Sequence, residues 1–291
     1  MNQIPLLLFA SLCLCSVAEA APLQTELTPD NRLLIRRAGQ AESLLAQNAR
    51  ANFRPYIHPI LAPDGQGVLT EDAPGHHTWQ HGLYVGLHKV NGHDFWTRDH
   101  AFRPRPLAAP IAAGNRVTWQ VETGWLGQSN DPAPIINETQ RWTLTDHGDH
   151  YLLDLEWTLT AAVDVTFGKH EYGGLFLRMP WTRDANGDAL SSEGKPADGQ
   201  RARWLAVRMD IAGRDDGATI AILDHPQNPA HPAPWRLDGQ LGIAPSRCIL
   251  GDWKLAKGES TTSRYRVIVR GGRAKPEALE AEFKRFASIT R

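Results

Sequence analysis

Seven of the twelve histidines, His58, His76, His77, His81, His88, His93 and His100, lie in one stretch of the chain. Imidazole titrates near neutral pH and is the commonest protein ligand for transition metals, so a cluster this dense points to proton transfer or metal binding. Within it, His76-His77-Thr78-Trp79-Gln80-His81-Gly82 opens out of the turn Pro74-Gly75, and His77 and His81 would share a face if the segment were helical. The glutamate of the H-E-x-x-H zinc motif is absent. Loop histidines also collect in aromatic, turn-rich segments with no chemical role, and each one taken singly fits that reading.

Two further constellations carry polar groups. Lys169-His170-Glu171-Tyr172-Gly173-Gly174 sets a carboxylate between an imidazole and a phenol, followed by glycines that permit close backbone approach; this suits acid–base work and equally an ordinary turn. Asp224-His225-Pro226-Gln227-Asn228-Pro229-Ala230-His231-Pro232 leaves an alternating segment as a proline-stiffened loop. Its polar side chains either reach a cleft or cap turns beside the prolines.

Strands must position these groups. Tyr151, Leu153, Leu155, Trp157 and Leu159 alternate with Asp154, Glu156, Thr158 and Thr160, and period two over ten residues predicts a strand with one wet face. The same alternation runs through Val117 to Val121, Leu205 to Ile211, Thr219 to Leu223 and Tyr265 to Val269, predicting an all-β, antiparallel sandwich built as a meander. Asp146-His147-Gly148-Asp149 is a hairpin signal. One helix is predicted near the C-terminus, with Pro276 in its first turn and Leu279, Phe283, Phe286 and Ile289 along one face, packing across a sheet. Ala41 to Ala49 has the composition of a short helix without its periodicity. The turn-rich stretches Asp131 to Pro134 and Asp184 to Gly199 read as surface loops.

The apolar run Ile4 to Val17, followed by Ala18 and Ala20 in an A-x-A arrangement, predicts a signal peptide cleaved after Ala20 and a periplasmic or secreted chain, although no Lys or Arg precedes the run. The run is too short to span a bilayer. Residues 21–291 are expected to form a single β-sandwich domain. Lys and Arg number 31 against 32 Asp and Glu; loss of Glu19 with the leader equalises them, which argues against nucleic acid or anionic lipid as partner. Cys248 is then the one remaining cysteine, so no intrachain disulfide forms. The oligomeric state is left open.

The motifs Arg54-Pro55-Tyr56-Ile57-His58-Pro59, Pro63-Asp64-Gly65, His76-His77 with His81-Gly82, His88-Lys89-Val90-Asn91-Gly92 with Phe95-Trp96, His170-Glu171-Tyr172-Gly173-Gly174 and Asp224-His225-Pro226 through Pro234-Trp235 resemble, in this order, the PmoA-like family of bacterial domains, from about Arg54 to Gly271. The methane oxygenase meaning of that name does not suit a chain whose only hydrophobic run is its leader. The resemblance implies a β supersandwich of the galactose mutarotase kind and a carbohydrate ligand. On that footing Trp79, Trp96 or Trp235 would stack on a sugar ring, and Arg54, His58, His76, His77, His88, Tyr172, His225 and Asn228 would bind its hydroxyls. His81 and Glu171 would form the acid–base pair, with His170 orienting the acid and Asp224 holding His225 in one tautomer. The reading is an exported carbohydrate-acting enzyme of lyase, hydrolase or epimerase type needing no cofactor. Its alternatives are a non-catalytic carbohydrate-binding domain, and an enzyme in which several of these histidines, with Glu171 or Asp224, hold a divalent metal.

Overall fold

The computed structural model describes residues 21–127, 133–184 and 186–289. The leader expected over residues 1–20 and the first half of the loop expected at Asp131 to Pro134 lie outside the described residues.

Alternating apolar and polar residues make most of the chain extended. In order come β1 (Leu23–Leu27), β2 (Arg32–Arg37), β3 (Leu45–Asn48), β4 (Tyr56–Ile60), β5 (Leu83–Leu87), β6 (Phe102–Pro104), β7 (Ile111–Ala113), β8 (Arg116–Leu126) and β9 (Pro134–Asp146). The second half holds β10 (His150–Ala161), β11 (Val165–Phe167), β12 (Gly173–Leu177), β13 (Gly187–Ser191), β14 (Trp204–Met209), β15 (Ala218–Asp224), β16 (Trp235–Leu237), β17 (Ile243–Pro245), β18 (Trp253–Leu255), β19 (Ser260–Gly271) and the helix α1 (Pro276–Ala287).

Two large antiparallel sheets result, one in the order β1-β2-β3-β4-β5-β12-β17-β16 and the other β13-β14-β15-β19-β10-β9-β8-β6, with β7 beside β8. Period two sorts their side chains: Val117, Trp119, Leu153, Leu155, Val267 and Ile222 of the second sheet meet Ile57, Leu83, Val85, Leu175, Leu177 and Ile243 of the first in one buried core. The antiparallel sandwich read from the alternation is present, and the expected hairpin joins β9 to β10. The meander is not continuous. β8-β9-β10 and β13-β14-β15 are each meanders, but β19 pairs with both β10 and β15 and closes the sheet between them.

The helix forms where expected. Leu279, Phe283 and Phe286 cover Leu152, Trp204, Ala221, Leu223 and Ile268 on the outer face of the nine-stranded sheet, each such apolar side chain contributing about 1.5–3 kcal/mol on burial. Ala41 to Ala49 holds no helix: Leu45–Asn48 is β3, buried along its length, with Gln47 accepting the indole N–H of Trp119 at 3.1 Å. A strand covered on both sides needs no polar face, which hid it from a search for alternation. Among the described residues no helix is long and apolar enough to cross a membrane.

Candidate functional site

The outer face of the eight-stranded sheet is aromatic. Tyr56 (β4), Tyr84 (β5) and Phe176 (β12) project from it and pack with Phe53 and Trp96, with Trp79 and Tyr172 beside them. Strand register makes this layer: Tyr84 stands opposite Phe176, their rings 5.4 Å apart, while their neighbours Leu83, Val85, Leu175 and Leu177 turn to the core. The segment 71–82 folds over the face as a hairpin-like arm, closed by the bridge between Asp72 and His81.

Beside the tip of this arm lies an open hollow of about 390 Å³, walled by His77, Trp79 and Gln80 on one side, Trp96, Tyr172 and Phe176 below, and Arg236, Asp238 and Gln240 opposite. Its size and mixed lining are those of a small-molecule site. Polar atoms at its edge are buried without hydrogen-bond partners among the described residues: Gln80 Oε1, His77 Nδ1 and, beneath, Tyr84 Oη and Arg178 Nη1. Burial, with the Arg178 guanidinium and the His76 ring nearby, pushes the His77 imidazole below its usual range, while Asp238 pulls it back up. The ring is therefore neutral at neutral pH and able to accept a proton.

Two buried guanidiniums brace the layer. Arg54 gives Nε to Asp99 Oδ1 at 3.0 Å and Nη2 to the Trp96 carbonyl at 2.6 Å. Arg178, just past β12, gives Nε to Glu71 at 3.3 Å and Nη2 to His76 Nε2 at 2.9 Å and to Gln240 Oε1.

Of the expected ligand-binding residues, the structure brings His77, Trp96 and Tyr172 into the hollow, with Trp79 and with His76 held behind it by Arg178. His81 is not placed as a free base. It is buried with Nδ1 2.5 Å from Asp72 Oδ1 and Nε2 3.2 Å from Asp99 Oδ2. Carboxylate oxygens accept, so both ring nitrogens must donate and the ring is an imidazolium. Burial opposes that charge, but the two carboxylates outweigh it and hold His81 above its usual range.

Glu171 is exposed on the turn entering β12, and it is not among the residues walling the hollow. His170 does not orient it: its ring stacks on His88 at 4.1 Å and backs the ring of Tyr172. His58 is tied to Thr70 through Nδ1 at 2.9 Å, and Arg54 has no exposed surface at all.

Asp224 lies at the end of β15, in the other sheet, so His81, Glu171 and Asp224 do not converge. Nor does it hold His225. Successive side chains of a strand point to opposite faces, and Asp224 instead accepts from Asn228 Nδ2 at 2.7 Å, His231 Nδ1 at 2.8 Å and the Ala233 amide at 2.9 Å. His225 turns to the edge of Phe286 under the helix. Asn228 exchanges hydrogen bonds with the Arg264 backbone, filling a strand-like role. Trp235 is a core residue whose indole N–H meets the Ala202 carbonyl. These residues fasten the loop 225–235 and are absent from the hollow.

The metal-ligand set is not assembled either: among the described residues no three His, Cys, Asp or Glu side chains are grouped so as to hold an ion. Sequence reasoning missed Gln80, Phe176, Arg178, Arg236, Asp238 and Gln240. Asp238-Gly239-Gln240 reads as an ordinary turn, and only the folding of the arm 71–82 towards it makes it a wall.

Among known structures, a putative aldose 1-epimerase from Klebsiella pneumoniae is similar at 9% identity over 89% of this chain and 84% of that one, with a TM-score of 0.41. A putative aldose 1-epimerase from Escherichia coli is similar at 13% identity over 86% and 99%, TM-score 0.39. The alpha-galactosidase AgaB of Geobacillus stearothermophilus follows at 12% over 86% of this chain, TM-score 0.38; the present chain spans 41% of its length. These likenesses concern the fold alone. No curated protein matches the chain. The family model that does match, described as a family of unknown function, DUF6807, covers residues 40–284 and replaces the PmoA-like family suggested by the motifs. The chain belongs to DUF6807.

Proposed function

We propose that this chain is an exported carbohydrate-acting enzyme that receives a sugar ring in the hollow over its eight-stranded sheet and moves a proton on it with His77. The observation that carries this reading is the pairing of aromatic rings with polar side chains in the lining of one open site. The C–H face of a sugar ring stacks on Trp79 or Tyr172, while its hydroxyls meet the polar side chains of the wall, His77, Gln80, Arg236 and Asp238. A neutral imidazole beside such a ring can act as the base in each chemistry, taking the proton of an acidic ring carbon in a lyase, of the anomeric hydroxyl in an epimerase, or of the attacking water in a hydrolase.

The test is direct. Methyl glycosides of the common hexoses and a panel of oligosaccharides are titrated while tryptophan fluorescence is followed, and products are sought by mass. Trp79→Ala is expected to weaken binding about tenfold, the loss of one aromatic contact. His77→Ala should bind but not turn over. Binding without turnover in the wild type would instead mark a carbohydrate-binding domain, and no binding by any sugar would end the reading. Export rests on residues 1–20 of the sequence; recovery of a chain beginning at Ala21 from the periplasm or medium checks it.

A further inference from the structure

We infer that Asp238 is the specificity-determining residue of this hollow, accepting one particular sugar hydroxyl on Oδ2, and that Arg178 is the positioning residue that presents it. The inference rests on the carbohydrate reading above. Asp238 directly follows β16, and its two oxygens have different surroundings. Oδ1 accepts the backbone amides of Gln240 and Gly242, both at 2.8 Å, which fixes the plane of the carboxylate. Oδ2 receives no hydrogen bond from the described residues, and the buried cation facing it, Arg178 Nη1, stays 3.8 Å away.

Local packing keeps Oδ2 in this position. A Cβ on Gly242 would fall 2.5 Å from Oδ2 and 2.5 Å from Phe176 Cζ, so only glycine lets the oxygen rest against the edge of the aromatic floor. This oxygen, with only the loose ion pair to Arg178 and a side chain 16% exposed on the wall of the hollow, is free to accept a hydrogen bond from what enters there. In a hollow walled by indole and phenol rings, that donor is the hydroxyl of a stacked ring.

Arg178 holds the geometry from below. Its one guanidinium reaches Glu71 and His76 on the arm and Gln240 and Asp238 on the opposite wall, so it sets the distance between the two sides. Its Nη1 is among the buried atoms without a hydrogen bond, placed to follow Oδ2 once that oxygen is engaged.

The experiment uses the methyl hexoside that binds the wild type most tightly, together with its monodeoxy analogues. A hydrogen bond to a charged acceptor gives about a 10- to 100-fold loss when the hydroxyl is removed. One deoxy position is expected to show that loss in the wild type and none in Asp238→Asn, whose affinity for the parent sugar is already down by the same factor. Arg178→Gln should erase the discrimination between parent and deoxy sugar, and Arg178→Lys should restore part of it; a purely structural role would lower thermal stability without touching that ratio. Equal binding of the parent sugar by wild type and Asp238→Asn overturns the assignment and leaves the carbohydrate hollow standing. Failure of every hexoside to bind the wild type overturns both.

Discussion

Asp99→Ala should lower folding stability by about 3–5 kcal/mol, the cost of stranding buried charge, seen as a fall in the urea midpoint with unchanged slope. Asp99 is the shared counter-ion of two buried cations, taking Arg54 Nε at 3.0 Å and His81 Nε2 at 3.2 Å. Arg54 has no exposed surface and His81 almost none. Both cations lose a counter-ion at an almost fully covered position, so the loss is above the ~0–1 kcal/mol of an exposed pair. A change below about 1 kcal/mol would mean that water already penetrates this layer.

The same network sets a pH dependence whose sign is fixed. His81 is held above its usual 6.5, so its contribution is complete below that pH and is lost as the pH rises through the raised folded value. Asp72 works the other way. Burial opposes its charge, but the hydrogen bond and charge of His81, with His58 and the Tyr56 hydroxyl, together outweigh this and hold it below its usual 3.8, so its contribution is present above 3.8 and lost as the pH falls through the lowered value. The stability difference between wild type and His81→Gln should therefore shrink on the alkaline side. Parallel pH–stability curves for the two proteins would refute the imidazolium assignment.

The second large effect is expected at Gly174→Ala. Gly174 has φ +125, a region that L side chains rarely adopt, and a Cβ there would lie 2.2 Å from the Pro245 carbonyl oxygen. The oxygen belongs to backbone at the point where β12 runs beside β17 and the Cβ is fixed by its own backbone, so neither can swing aside. Backbone strain of about 1–3 kcal/mol adds to overpacking of about 1–3 kcal/mol. The variant should melt well below the wild type and lose the register that brings Phe176 under the hollow. Gly194→Ala is the control for backbone strain alone, because it also has positive φ but nothing within 4 Å of the added carbon. If both variants lose the same stability, the close approach to Pro245 has no energetic weight.

The layered β fold was legible in the residues alone because period two is a local property. Tyr151, Leu153, Leu155, Trp157 and Leu159 alternate whatever they pair with, and all five are buried as that alternation requires. Pro276, Leu279, Phe283 and Phe286 announce the helix by the same kind of local rule. Of the aromatic and imidazole groups singled out in the sequence, Trp79, Trp96, Tyr172 and His77 lie together in the lining of one hollow. The role of each polar group was decided only by tertiary structure. His81 is an imidazolium because Asp72 and Asp99, nine residues before it and eighteen after it, enclose its two nitrogens. Asp224 is spent on its own loop, and Asp238, in an unremarked turn, faces the hollow with an oxygen to spare. An ionisable side chain takes its charge and availability from the atoms within a few ångströms of it, and when those come from distant segments no spacing in the chain records them.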